Sequence, residues 1–66
     1  MTYEGLYCWG REELVSAEIT EAQLDARLLL ESACGTSRND LLVHGDRVVD
    51  AEKQAAYEKV IAHRKA

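Results

Sequence analysis

The absence of proline is the strongest constraint on what this chain can fold into. None of its 66 residues is proline, and only four are glycine. Proline breaks helix interiors, whereas Ala, Leu, Glu, Lys and Arg, which are abundant here, form helices readily. Hydrophobic residues at 47% and charged residues at 30% are typical of a globular domain. The sequence therefore predicts an all-α fold.

The length of the chain limits what it can do. A domain of about 60 residues buries only about 60% of the surface that its unfolded form exposes, so its core is small. It has no room for both a cofactor-binding sheet and a substrate pocket. We therefore predict one helical domain over residues 1–66 that does no chemistry by itself.

The charge of the chain disfavours a nucleic-acid-binding role. The net charge is -4, whereas affinity for nucleic acid depends on neutralising phosphates. The charge is also uneven, because residues 1–35 carry seven acids against two bases and residues 36–66 carry five acids against six bases. This asymmetry can steer a protein partner.

The two cysteines and the hydropathy pattern favour the cytoplasm. Cys8 and Cys34 are too few for the disulfide framework of a secreted domain, so we expect both to be reduced and buried. The sequence has no secretory signal and no apolar run near the ~18 residues of a membrane span.

Apolar spacing and capping signals predict the first helix. It should begin at the N-cap Thr2 and end near Ala17. Gly10 marks either a close helix crossing or a break that would create a fifth helix. The buried stripe has helical spacing and consists of Leu6, Gly10, Leu14 and Ala17, flanked by Tyr3 and Trp9.

The second helix has a clearer predicted start. Thr20 and Gln23 have the spacing of a capping box, and Ile19 and Leu24 that of a hydrophobic staple. Gly35 should end the helix. The predicted core face is wide and comprises Leu24, Leu28, Leu29, Leu30 and Ala33.

Two further helices complete the predicted bundle, a small antiparallel arrangement of four to five helices. Thr36 or Ser37 should cap a short third helix with Asp40 in its first turn, and Asp50 should cap the last one. The side chains predicted to be buried in this half are Leu41, Leu42, Val43, Val48, Val49, Ala56, Tyr57, Val60 and Ile61.

No constellation typical of catalysis or metal binding is evident. The only histidines, His44 and His63, are not at ligand spacing from each other or from a cysteine. Trp9, with Tyr3 and Tyr7, either marks a partner surface or closes one end of the core. The remaining candidate for partner contact is the basic turn, which we define as Lys59, His63, Arg64 and Lys65. The alternative is that these residues serve the structure alone, by complementing the helix dipole.

Several strings of this sequence resemble one enzyme family. They are LDARLLLE at 24–31, CG at 34–35, RNDLL at 38–42 and IAHRK at 61–65, together with residues 3–14 and their Trp9-Gly10 pair. In this pattern the chain resembles the N-terminal domain of the HemK-type peptide chain release factor glutamine methyltransferases.

The resemblance implies a function for the longer protein. Members of the family use S-adenosylmethionine to methylate the glutamine of the Gly-Gly-Gln motif in class I release factors. Their Rossmann-like catalytic domain follows the helical domain and carries an Asn-Pro-Pro-Tyr motif, which cannot occur in a chain without proline. No catalytic or cofactor-binding residue therefore carries over. The implied partners are the release factor and the protein's own C-terminal catalytic domain.

Two other functions are compatible with the residues alone. The first is a free-standing helical interaction module, such as an adaptor. The second is a helix-turn-helix protein, which the acidic second helix disfavours. An end at Ala66 without a Gly or Pro stop leads us to expect a piece of a longer protein.

Overall fold

The computed structural model describes residues 1–65, apart from the side chains of residues 38, 40 and 41. No strand occurs in this part of the chain, where a single antiparallel bridge joins Thr2 to Val48. The all-α prediction is confirmed. The helices are α1 (Tyr3–Ser16), α2 (Ala22–Cys34), α3 (Arg38–Val43) and α4 (Ala51–Lys65).

Three long helices form the bundle. Helices α1, α2 and α4 all pack on one another. The backbone of Met1 bonds to Val49 at the start of α4, and Glu13 near the end of α1 pairs with Lys65 at the end of α4. Helices α1 and α4 therefore run in the same direction. Arg64 near the end of α4 pairs with Asp25 near the start of α2, so α2 runs antiparallel to both.

The predicted count of four to five helices exceeds the three that build the bundle. Helix α1 continues through Gly10, so the predicted fifth helix does not form. Helix α3 has only six residues, and its Leu42 and Val43 are 75% and 62% exposed rather than buried. Leu41 and Asp40 were also assigned positions in this helix, but their side chains lie outside the described residues.

The start of α1 is held by a cap and by a distant segment. The Thr2 hydroxyl accepts a hydrogen bond from the Gly5 amide at 3.0 Å, which confirms the predicted cap. The amides of Tyr3 and Glu4 donate to carbonyl oxygens of residues 44–50, the connector between α3 and α4, at 3.0 and 2.9 Å. The amides that every helix start leaves unpaired are thus satisfied here.

The core follows a spacing of about four residues in each long helix. The stripe predicted for α1 is confirmed at Leu6, Gly10 and Leu14, all of which are buried. The remaining buried residues of the core are Tyr3, Ala22, Ala26, Leu30, Cys34, Val49, Tyr57 and Ile61.

The predicted core face of α2 is wrong in part. Leu24 and Leu28 are 40% and 49% exposed, while Leu29 and Ala33 are only partly buried. The buried stripe instead consists of Ala22, Ala26, Leu30 and Cys34. The side chains of Ala22, Ala26 and Cys34 are small, so α2 can approach its neighbours closely. The larger side chains of Leu24, Leu28 and Leu29 then lie at the edge of the interface or outside it.

Two of the predicted local signals around α2 and the connector are also wrong. The helix begins at Ala22, so Glu21 and not Thr20 is its N-cap residue. The Glu21 side chain forms no capping hydrogen bond, and the capping box predicted at Thr20 does not form. Val48 is 71% exposed, and only Val49 of the pair is buried. The predicted stop is confirmed, because Gly35 ends α2 with φ 65°, a left-handed conformation that favours glycine.

Tyr57 of α4 is the point at which all three long helices meet. Its hydroxyl donates to the carbonyl of Ala26 in α2 at 3.1 Å, and its ring lies over Gly10 of α1, where a Cβ would come within 2.7 Å of the ring carbon Cζ. The interpretation of Gly10 as a close helix crossing is therefore confirmed. Trp9 is half-buried and meets the Tyr57 ring edge-on, with ring centroids 6.1 Å apart.

Two titratable groups of this core, the Cys34 thiol and the Tyr57 phenol, have raised pKa values. Burial raises the pKa of the Cys34 thiol, an effect that nearby Lys53 only partly offsets. Burial also raises the pKa of the Tyr57 phenol, and Cys34 and Tyr7 add to that rise. The folded chain therefore keeps these protons to higher pH than the unfolded chain does.

We expect the domain to lose stability at alkaline pH for this reason. The unfolded thiol and phenol lose their protons near pH 8.5 and 10, whereas the folded groups still hold theirs, so the free energy of unfolding falls as pH rises beyond about 8.5. Urea unfolding of Cys34→Ala should show a smaller loss between pH 8 and 10 than the parent. Cys8→Ala is the matched control and should behave like the parent; equal losses in all three proteins would contradict the assignment.

Candidate functional site

An open groove runs between α1, α2 and the end of α3. Its volume is about 940 Å³, and aromatic and aliphatic side chains form much of its wall. The side chains that contribute apolar surface are Tyr3, Tyr7, Ala22, Leu24, Leu42 and Val43. Leu24, Leu42 and Val43 are exposed, which is unusual for three large aliphatic residues lining one concave surface.

The charges lining the groove are mainly acidic. Glu4, Glu21 and Asp46 lie along it, and in the described part of the chain none of these carboxylates forms an ion pair. Arg27 is the one basic residue among the described lining residues, and its Nε is 3.5 Å from a carboxylate oxygen of Glu31. The groove thus combines an apolar wall with uncompensated negative charge.

The basic turn lies at the opposite end of α4 from the connector. Arg64 and Lys65 both form ion pairs at 2.9 Å, with Asp25 and Glu13 respectively. Lys59 and His63 are exposed, and no ion pair involves either of them within the described residues. All four residues of the turn are therefore exposed, but two pair with α1 and α2 and two form no ion pair in the described chain.

Comparison with known proteins assigns the chain to a family. A family model described as the PrmC N-terminal domain matches residues 6–66. The chain belongs to this family. No curated protein and no solved structure matches it.

The match confirms the resemblance to the HemK-type methyltransferases, of which PrmC is the family name. It covers all of α2, α3, the connector and α4 up to its end, and begins in the first turn of α1. The match thus includes the basic turn and all of the described lining residues of the groove except Tyr3 and Glu4.

The described residues of this PrmC N-terminal domain contain no cluster suited to a metal ion. No three His, Cys, Asp or Glu side chains among residues 1–65 come together in that way. None of the helices there has the length and hydropathy needed to span a bilayer.

Sequence reasoning identified the basic turn but missed the groove. Leu24, Leu42 and Val43 were each predicted to be buried, because large aliphatic residues at helical spacing usually are. The acids Glu4, Glu21 and Asp46 are far apart in sequence and form no motif. A surplus of aliphatic side chains over what a core of this size can hold was the one available signal.

Proposed function

We propose that this chain is the substrate-recognition domain of an S-adenosylmethionine-dependent protein methyltransferase, and that it helps to bind a class I peptide chain release factor. The full-length enzyme would methylate the glutamine of the Gly-Gly-Gln motif in that factor, in the cytoplasm. The observation that carries the proposal is the PrmC N-terminal domain match over residues 6–66.

The surface of the domain is suited to binding a protein. It offers an open groove with exposed aliphatic residues and a basic turn in which Lys59 and His63 are exposed and form no ion pair within the described residues. Exposed apolar surface of this kind marks interaction sites in small soluble domains. In this proposal S-adenosylmethionine belongs to the catalytic domain, which would follow α4 and would be the second partner of the helical domain.

A calorimetric titration tests the proposal directly. The chain is titrated with a purified class I release factor and, separately, with S-adenosylmethionine. The proposal expects saturable binding of the release factor and none of the cofactor. Absence of release factor binding, or saturable micromolar binding of S-adenosylmethionine to this chain, would contradict it.

The basic turn gives a more specific expectation. Arg64 and Lys65 pair with Asp25 and Glu13 of neighbouring helices, so reversing their charge would also change contacts within the bundle. Negative charge introduced at the two positions without an ion pair in the described chain, in the variant Lys59→Glu/His63→Glu, isolates partner contact. If the turn faces acidic groups of the release factor, binding should weaken by about 2- to 10-fold and its salt dependence should flatten.

A matched control lies at the other end of the same helix. Lys53→Glu changes the charge of an exposed α4 residue far from the basic turn. Association rates of the parent and both variants would be measured by surface plasmon resonance over a range of salt concentrations. Equal rates for Lys59→Glu/His63→Glu and the parent at low salt would show that the turn serves the fold alone.

A further inference from the structure

We infer that the groove between α1, α2 and the end of α3 binds a segment of the partner protein that presents aliphatic side chains flanked by Lys or Arg. The inference rests on the proposed function, because it names the surface and the chemistry with which the domain would hold the release factor. It concerns a different surface from the basic turn, none of whose residues is among those lining the groove.

The apolar wall of the groove is the reason to expect aliphatic side chains in the bound segment. Leu42 and Val43 are 75% and 62% exposed at the end of a short helix, and Leu24 is 40% exposed on the facing side of the groove. The rings of Tyr3 and Tyr7 extend the wall along α1. Aliphatic side chains placed in this groove would remove apolar surface of both molecules from water.

The negative charge of the groove is the reason to expect Lys or Arg in the bound segment. The carboxylates of Glu4, Glu21 and Asp46 lie along it without ion pairs in the described chain. Arg27, the one cation among the described lining residues, lies beside Glu31. Lys or Arg next to the aliphatic residues of a bound segment would meet these carboxylates. An acidic segment would meet like charge and be rejected.

The same charges disfavour a second copy of this chain as the occupant. A two-fold dimer through the groove would place the same surface on both sides of the interface. Glu4, Glu21 and Asp46 of one copy would then lie near the same carboxylates of the other. The apolar wall would be covered only at the cost of uncompensated repulsion.

Charged substitutions in the groove wall test the inference in the intact chain. Leu42→Asp adds a carboxylate at a side chain that is already solvent-exposed, so the fold should be unaffected, which thermal melting by circular dichroism would verify. We expect release factor binding to weaken at least tenfold. Val15→Asp is the matched control, because Val15 is 61% exposed on α1 and does not line the groove; it should bind like the parent.

A charge substitution separates this surface from the basic turn. Glu21→Lys should weaken binding of a basic segment, whereas negative charge introduced at Lys59 and His63 would weaken binding of an acidic one. A designed amphipathic peptide of Leu and Lys provides an independent probe, with a Leu and Glu peptide of the same pattern as its control. The groove should bind the first peptide in preference to the second, and Leu42→Asp should abolish that preference.

The outcomes distinguish the inference from the proposed function. If the parent chain binds no release factor but prefers the Leu and Lys peptide, the proposed function fails and the chemistry of the groove stands. If Leu42→Asp and Val15→Asp both bind release factor like the parent, the inference fails and the proposed function stands. Concentration-dependent dimerisation that Leu42→Asp abolishes would identify a second copy as the occupant and overturn the inference.

Discussion

Leu30→Ala is expected to leave most of the domain unfolded, whereas Leu28→Ala, two positions away, should leave it folded. Leu30 is fully buried at the centre of α2, and truncation of such a leucine costs about 2–5 kcal/mol. At about 0.05–0.15 kcal/mol per residue, a domain of this size has only about 3–10 kcal/mol in total. The loss therefore approaches the whole free energy of unfolding.

The paired leucine makes this a sharp test of the α2 core face. Leu28 is 49% exposed, so its truncation removes little buried surface and creates no internal cavity. Urea denaturation followed by circular dichroism would give both free energies of unfolding. Equal destabilisation by the two substitutions, or a larger loss for Leu28→Ala, would show that the buried stripe is not the one containing Leu30.

Gly10→Ala is expected to have the second largest effect on stability. It should destabilise the domain, although helix propensity alone would favour alanine. Alanine in place of a mid-helix glycine gains about 1 kcal/mol from propensity alone. Here the new Cβ would overlap the buried ring of Tyr57, which is fixed by its hydrogen bond to Ala26. Overpacking of this kind costs about 1–3 kcal/mol and occasionally more. We expect a net lowering of the melting temperature by about 5–15 °C.

A double-mutant cycle identifies the Tyr57 ring as the cause. In a Tyr57→Leu background the overlapping atoms are absent, so Gly10→Ala should become neutral or should stabilise through propensity. Melting of the parent, both single variants and the double variant gives the coupling energy. Identical costs of Gly10→Ala in the two backgrounds would place its effect elsewhere.

Gly10 also shows which parts of the fold were predictable from sequence. Predictions succeeded where a residue type strongly favours one backbone position, such as a helix cap, or where the apolar spacing is unambiguous. Gly35 ends α2 in a left-handed conformation, and Thr2 caps α1 with its hydroxyl, both as expected. Gly10 lies in a regular stripe with Leu6 and Leu14, so a close approach was foreseeable, although its partner Tyr57 was not.

The core face of α2 could not be predicted in the same way. Residues 28–30 are three consecutive leucines, which point about 100° apart and cover most of the circumference of a helix. Periodicity cannot choose among them. The choice is made by Ala22, Ala26 and Cys34, whose small side chains give a weak hydropathy signal but allow neighbouring helices to approach closely.

The candidate site shows the same limit in another form. The position of the basic turn follows from the chain, since His63, Arg64 and Lys65 are consecutive at a helix end. Their partners Asp25 and Glu13 are about 40 and 50 residues distant and depend on the tertiary arrangement. The groove depends on it entirely, because Leu24 of α2 and Leu42 of α3 line one concave surface only in the folded arrangement.

The hydrogen bonds between the start of α1 and the connector have a consequence for the order of folding during synthesis. The amides of Tyr3 and Glu4 are satisfied by carbonyl groups of residues 45–47, and the carbonyl of Met1 by the amide of Val49. The amides of Tyr3 and Glu4 therefore have no native acceptor until the ribosome has added more than forty further residues. The start of α1 is completed only when the residues just before α4 have been synthesised and have folded against it.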